Sequence, residues 1–121
     1  MAVTDSHWRA AALDLPVPFS CELQRDPLGV RIRAAGDVDL TVARHFEARL
    51  AAARHVDAAT MLLDLSGVTY MDSTGLRIVL RWHDESVRQG LDARIAAVSD
   101  AVGRLIEITD VGELLGYRAG A

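Results

Sequence analysis

The 121-residue sequence contains no lysine; all 13 of its basic residues are arginines. Set against 17 acidic residues, they leave a net charge of -4. The basic stripe that a DNA or RNA backbone requires is therefore missing. The glycine patterns with which nucleotide enzymes cradle phosphates are missing too. A single cysteine, Cys21, excludes an internal disulfide and a cysteine-based zinc site. Between Phe19 and Leu23 it is expected to be a buried, inert thiol. No apolar run reaches 18 residues, so no membrane-spanning helix is expected. Residues 1–18 lack the basic start and apolar core of a signal peptide. The cytoplasm is the expected location. There is no repeat and no low-complexity segment.

What is present suits one domain with one core: half of the residues are apolar and a quarter charged. Residues 1–18 form an arm without a clear period, and Pro16 and Pro18 disfavour a helix there. Its Leu13, Leu15 and Val17 are expected to cover an open face or edge of the sheet, with Trp8 packing or unengaged. Phe19, Cys21 and Leu23 alternate with polar residues, as do Val30, Ile32 and Ala34, around a turn at Arg25–Gly29. That reads as a hairpin. Gly36-Asp37-Val38-Asp39 reads as a polar loop, with Asp39 or Thr41 capping a helix from Thr41 to about Val56.

The chain turns on residues 61–77. Met61–Leu65 reads as a buried strand, broken only by Asp64. Asp72, Ser73, Thr74 and Gly75 are small and polar. From Leu76 an apolar stripe restarts at helical spacing through Val79, Leu80, His83 and Val87, and Gly90 ends that helix. Ile78 and Trp82 make a second stripe beside it. Trp82 has the chemistry of an interface anchor; packing against the 41–56 helix is the other reading. Leu91–Val98 reads as a further strand, followed by a helix capped by Ser99 or Asp100 and running through Ile108, with Val102, Leu105 and Ile106 inward. Thr109–Leu115 is a turn into a short helical or strand-like piece. The order β-β-α-β-α-β-α predicts an α/β sheet with helices on one face.

Two chemistries are open to the 61–77 stretch. Asp64 and Asp72, with Asp37 and Asp39, are candidates for holding Mg²⁺ or for acid–base work. No nucleophile motif surrounds Ser73 or Thr74, however, and His45 and His55 lack metal-ligand spacing. The second chemistry is phosphate acceptance by a hydroxyl at the helix mouth. The added charge falls beside free backbone N–H groups, which spares the fold, and disturbs any protein contact made there. Spacing alone does not choose between Ser73 and Thr74.

The stretch Asp64-Leu-Ser-Gly-Val-Thr-Tyr-Met-Asp-Ser-Thr-Gly-Leu76 resembles the signature of the STAS domain family, within it the bacterial anti-sigma factor antagonists. Gly36-Asp37-Val38-Asp39 resembles that family's Gly-Glu-Leu-Asp loop, and Val98–Ile106 its late strand-to-helix passage. The resemblance covers roughly residues 19–117, leaving the arm 1–18 and a tail 118–121. It implies a single STAS domain with a mixed central sheet and helices mainly on one face. With the nucleophile, metal-ligand and phosphate-cradling motifs missing, no enzyme, no cofactor and no metal is expected. The resemblance also implies a partner: an anti-sigma factor serine/threonine kinase, whose capture frees a sigma factor and whose phosphorylation of the antagonist ends the association, with a phosphatase as reset. The family's acceptor follows the signature Asp, here Asp72, so the acceptor falls on Ser73. The partner-binding set is then Asp37, Asp39, Asp72, Ser73, Thr74, Gly75, Ile78 and Trp82. Arg77 departs from the family, where glycine is common. No direct contact with nucleic acid or membrane is expected, and a homodimer is left open. Two other roles belong to the same family: an accessory subunit of a lipid-transport ATPase, and a scaffold that is never phosphorylated.

Overall fold

A computed structural model describes residues 18–117. Four strands, β1 (Ser20–Asp26), β2 (Gly29–Val38), β3 (Thr60–Met71) and β4 (Asp92–Val98), lie side by side in sequence order. β1 and β2 form the expected antiparallel hairpin, closed at Pro27–Leu28, where Asp26 Oδ1 accepts the Leu28 N–H at 3.0 Å. β2–β3 and β3–β4 are parallel, as crossover through a helix demands. The helices are α1 (Ala43–Ala53), α2 (Ser73–Arg88), α3 (Asp100–Thr109) and the single turn α4 (Gly112–Leu115).

The strand alternation decides which face is covered. Val30, Ile32, Ala34 and Val38 of β2 and Met61, Leu63 and Leu65 of β3 join one core with Phe46 and Leu50 of α1, Leu76, Val79 and Trp82 of α2, and Val102 and Ile106 of α3. Arg31, Arg33 and Asp64 occupy the opposite face, where both guanidinium groups lie 3.5 Å from Asp64 Oδ2. The sheet is mixed and the described helices pack mainly on one side, as the sequence implied. The arm, with Trp8, Leu13, Leu15 and Val17, and the tail after residue 117 lie outside the described residues.

Several boundaries differ from the sequence reading. β2 continues through Gly36, Asp37 and Val38, and β3 continues through Ser66 to Met71, where loops were expected. The reason is a pair of register shifts: Arg33↔Asp64 is followed by Ala35↔Gly67, and Gly36↔Val68 by Asp37↔Tyr70. Each inserts one extra residue into β3. The inward residues Leu65, Val68 and Met71 therefore recur every third position, which hides the strand period. Gly67 makes the first shift possible, since a Cβ there would stand 3.0 Å from the Ala35 Cβ. α1 is shorter than expected because Thr41 is held in a turn by Asp39 and the chain turns again after Ala53.

The inward stripe of α2 is also rotated. Ile78, Trp82 and Ser86 are buried, whereas Val87 is 52% exposed. Docking on α1 as well as on the sheet turns the helix this way: Arg81 reaches Glu47 at 2.9 Å and Arg54 reaches Glu85 at 3.5 Å. Ser86 is tolerated inside because its hydroxyl donates to the Trp82 carbonyl at 2.6 Å. Cys21 is buried, and that burial pushes its thiol up to about 11 despite the nearby Arg49, so it is inert as expected.

Candidate functional site

Val38 and Met71 are register partners at the ends of β2 and β3, so the two following loops leave the sheet side by side. The ion pairs Glu47–Arg81 and Arg54–Glu85 advance together, the first from within α1 and the second from its C-cap, along α2. The two helices therefore run in the same direction, with both N-termini at this end of the sheet. This brings Asp37, Asp39, Asp72, Ser73, Thr74 and Gly75 to one edge of the domain.

Each acid there has a defined partner. Asp37 Oδ1 accepts the Thr69 hydroxyl at 2.5 Å. Asp39 Oδ1 accepts the Thr41 hydroxyl at 2.5 Å and the Thr41 N–H at 3.0 Å. That hydroxyl bond is the main reason the Asp39 carboxyl is held below the usual carboxylate range. Asp72 is the N-cap of α2: its backbone is extended and its Oδ1 accepts the Gly75 N–H at 3.1 Å. Gly75 is buried because α2 starts hard against the strand ends. A Cβ there would stand 2.8 Å from Met71 Cγ and 2.9 Å from Val38 Cγ1.

Ser73 is the first residue of α2 and is exposed. Its hydroxyl makes no hydrogen bond among the described residues, and the neighbouring Asp72 cap braces its position. Thr74 is half-buried. Ile78 and Trp82, expected at the partner surface, are 7% and 2% exposed and belong to the core. Of the two readings of Trp82, packing is the one the fold adopts; the surface at this edge does not include either side chain.

Two residues that the sequence reading passed over stand at the same edge. Leu40 is 74% and Tyr70 50% exposed. Tyr70 is opposite Asp37, and Leu40 sits between Asp39 and Thr41. No local signal marked Leu40: it continues the alternation of Val30, Ile32, Ala34 and Val38, and only the bend at Asp39 takes it out of the strand.

The carboxylate pair considered for metal or acid–base work does not assemble. Asp64 lies on the face opposite the described helices, about 20 Å along the strand from Asp72. Its burial works against ionisation, but the Ser66 hydroxyl and N–H, with Arg33 and Arg31, outweigh it and lower its pKa. Asp64 is thus a structural anion. Among the described residues no group of three or more His, Cys, Asp or Glu side chains is placed to hold a metal ion. No described helix is long and apolar enough to cross a membrane.

Residues 21–116 match the family model described as Mlab, STAS domain. The chain belongs to the STAS domain family, a regulatory and not a catalytic class. It is 29% identical over 89 residues to the anti-sigma-B factor antagonist of Staphylococcus aureus strain NCTC 8325, covering 74% of this chain and 82% of that protein. The counterpart from Staphylococcus epidermidis is 27% identical over the same length and coverage. The fold is similar to the crystal structure of an anti-sigma factor antagonist from Mycobacterium paratuberculosis, with a TM-score of 0.71, 17% identity and coverage of 84% and 86% of the two chains. It is also similar to the anti-sigma factor antagonist SpoIIAA in its unphosphorylated form, with a TM-score of 0.66, 18% identity and coverage of 84% and 90%.

Proposed function

We propose that this STAS domain is an anti-sigma factor antagonist. It binds an anti-sigma factor serine/threonine kinase through the edge formed by Asp37, Asp39, Asp72, Ser73 and Thr74, and frees the sigma factor. Phosphorylation at Ser73 ends the complex, and a phosphatase restores it in the cytoplasm. One observation carries the reading: Ser73 is an exposed, unbonded hydroxyl on the first residue of α2, beside a carboxylate whose own side chain is committed to the Gly75 N–H. The staphylococcal relatives bear the name of such antagonists.

The physics of the switch is charge at a protein contact. A phosphate adds nearly two negative charges. At the α2 mouth the free N–H groups and helix dipole offset part of that within the fold. A partner surface matched to the unmodified edge has no such compensation, and losing one well-placed contact costs about 2 kcal/mol, roughly thirtyfold in affinity. The test is phosphosite mapping by mass spectrometry after incubation with candidate kinases and ATP, then titration of both forms against the kinase. Ser73→Ala should block modification and keep binding; Ser73→Glu should weaken it. Phosphate confined to another residue, or equal affinity of the two forms, would overturn the reading.

Membership of the STAS family keeps a second reading open, the accessory subunit of a lipid-transport ATPase. Co-purification with transporter components in place of a kinase would select it. Recovery of a kinase that binds yet leaves no phosphate on the chain would select the unphosphorylated scaffold.

A further inference from the structure

Arg77 follows Ser73 by four residues on α2, the spacing at which helix side chains are neighbours on one face. The other exposed arginines of this helix are occupied: Arg81 by Glu47 at 2.9 Å and Arg88 by Asp84 at 3.0 Å. Arg77 is exposed and has no ion-pair partner among the described residues. Other charged groups at this end of the sheet include Asp37 on β2, Asp39 before α1, Asp72 at the cap, Arg44 at the start of α1 and Asp100 at the start of α3. Asp37, Asp39 and Asp72 already accept from Thr69, Thr41 and Gly75. An anion on Ser73 thus has an unengaged guanidinium one turn further along its own helix.

We propose that a phosphate on Ser73 is captured by Arg77. The inference rests on Ser73 being the acceptor and adds a second effect to its modification. The phosphate places negative charge at the helix mouth, and it also withdraws a cation from the surface that a partner meets. The order is favourable, since an acid N-terminal to a base at this spacing is the better orientation. The planar guanidinium matches two phosphate oxygens at once.

The experiment uses the full chain with phosphoserine inserted at position 73 during translation, so no kinase is required. Phosphorus NMR follows the second ionisation of the phosphate, ordinarily near pH 6. Arg77 favours the doubly charged form, so Arg77→Gln should raise the midpoint by about 0.2–0.4 pH unit. Arg77→Lys should keep much of the depression, and Arg44→Gln should leave the midpoint in place. Coincident midpoints for the parent and Arg77→Gln would overturn the capture, as would equal shifts from Arg44→Gln and Arg77→Gln. Failure of the acceptor assignment is separately visible: mapping of kinase-treated protein would find no phosphate on Ser73, whatever the titration gives.

Discussion

Val38 and Met71 face each other across the ends of two parallel strands, and Gly75 is the residue that lets α2 begin between them. The alignment of the proposed switch depends on this three-way contact, in which a single added methyl group has no room.

Gly75→Ala should therefore destabilise the domain by about 1–3 kcal/mol, the range for overpacking a closed site. Alanine's better helix propensity does not offset this. Urea denaturation followed by circular dichroism measures it. An alanine variant as stable as the parent would mean that the strand ends yield more easily than their packing suggests.

The cap at Asp72 separates two functions of one carboxylate. Asp72→Ala removes the acceptor for the Gly75 N–H and should cost about 1 kcal/mol. Asp72→Asn keeps a capping oxygen and removes the charge, so its stability should stay near that of the parent. Comparing both variants in denaturation and in partner titration assigns the charge to binding and the oxygen to folding.

Trp82→Ala should behave as a core deletion. The side chain is 2% exposed, and truncating such a residue costs about 3–5 kcal/mol. Partner affinity measured on the fraction still folded should be nearly unchanged. Loss of binding at parental stability would return Trp82 to the surface.

Acid sensitivity should trace in part to Asp64. Its pKa is lowered in the fold from 3.8, so the native state binds fewer protons than the unfolded chain in that region. The contribution is present above about pH 4 and is lost as pH falls through the lowered value. Asp64→Asn should flatten stability against pH below 4. At neutral pH it should cost about 1–2 kcal/mol, less than breaking a buried pair, because Arg33 is 60% exposed. Guanidinium titrations at several pH values measure both.

Leu40 and Tyr70 supply exposed apolar area beside the acids. Replacing either with serine should leave stability within about 0.5 kcal/mol. Kinase affinity should fall about tenfold, the effect of losing an interface contact worth ~1.4 kcal/mol. Unchanged affinity in both variants would place the contact surface elsewhere on the domain.

How legible each part was followed from how regular its pattern was. The hairpin could be read because Cys21–Leu23 and Val30–Ala34 keep a period of two, and α2 because an apolar stripe at helical spacing starts at Leu76 and Gly90 closes it. The far half of β3 could not, because Leu65, Val68 and Met71 repeat at three and the intervening Ser66 and Gly67 carry turn chemistry. Trp82 was ambiguous because periodicity gives the width of an apolar stripe but not the angle at which the helix docks; the contact with α1 sets that angle. The acid edge was visible as two separate motifs. Their convergence came from the Val38–Met71 register, which no local pattern states.

From Arg33 to Val38, β2 takes five steps, while β3 takes seven from Asp64 to Met71. The two strands are adjacent lanes of one track, and the lane of β3 is longer by about 6–7 Å. Surplus contour length beside a shorter neighbour goes into a bend. Deleting one residue from each shift, Ser66 and Thr69, should straighten that lane while leaving Met71 level with Val38, so what changes is the angle at which the chain leaves β3 for α2. Ser73 would then meet an arriving enzyme at a different angle, even though every residue of the acid edge was still in the chain.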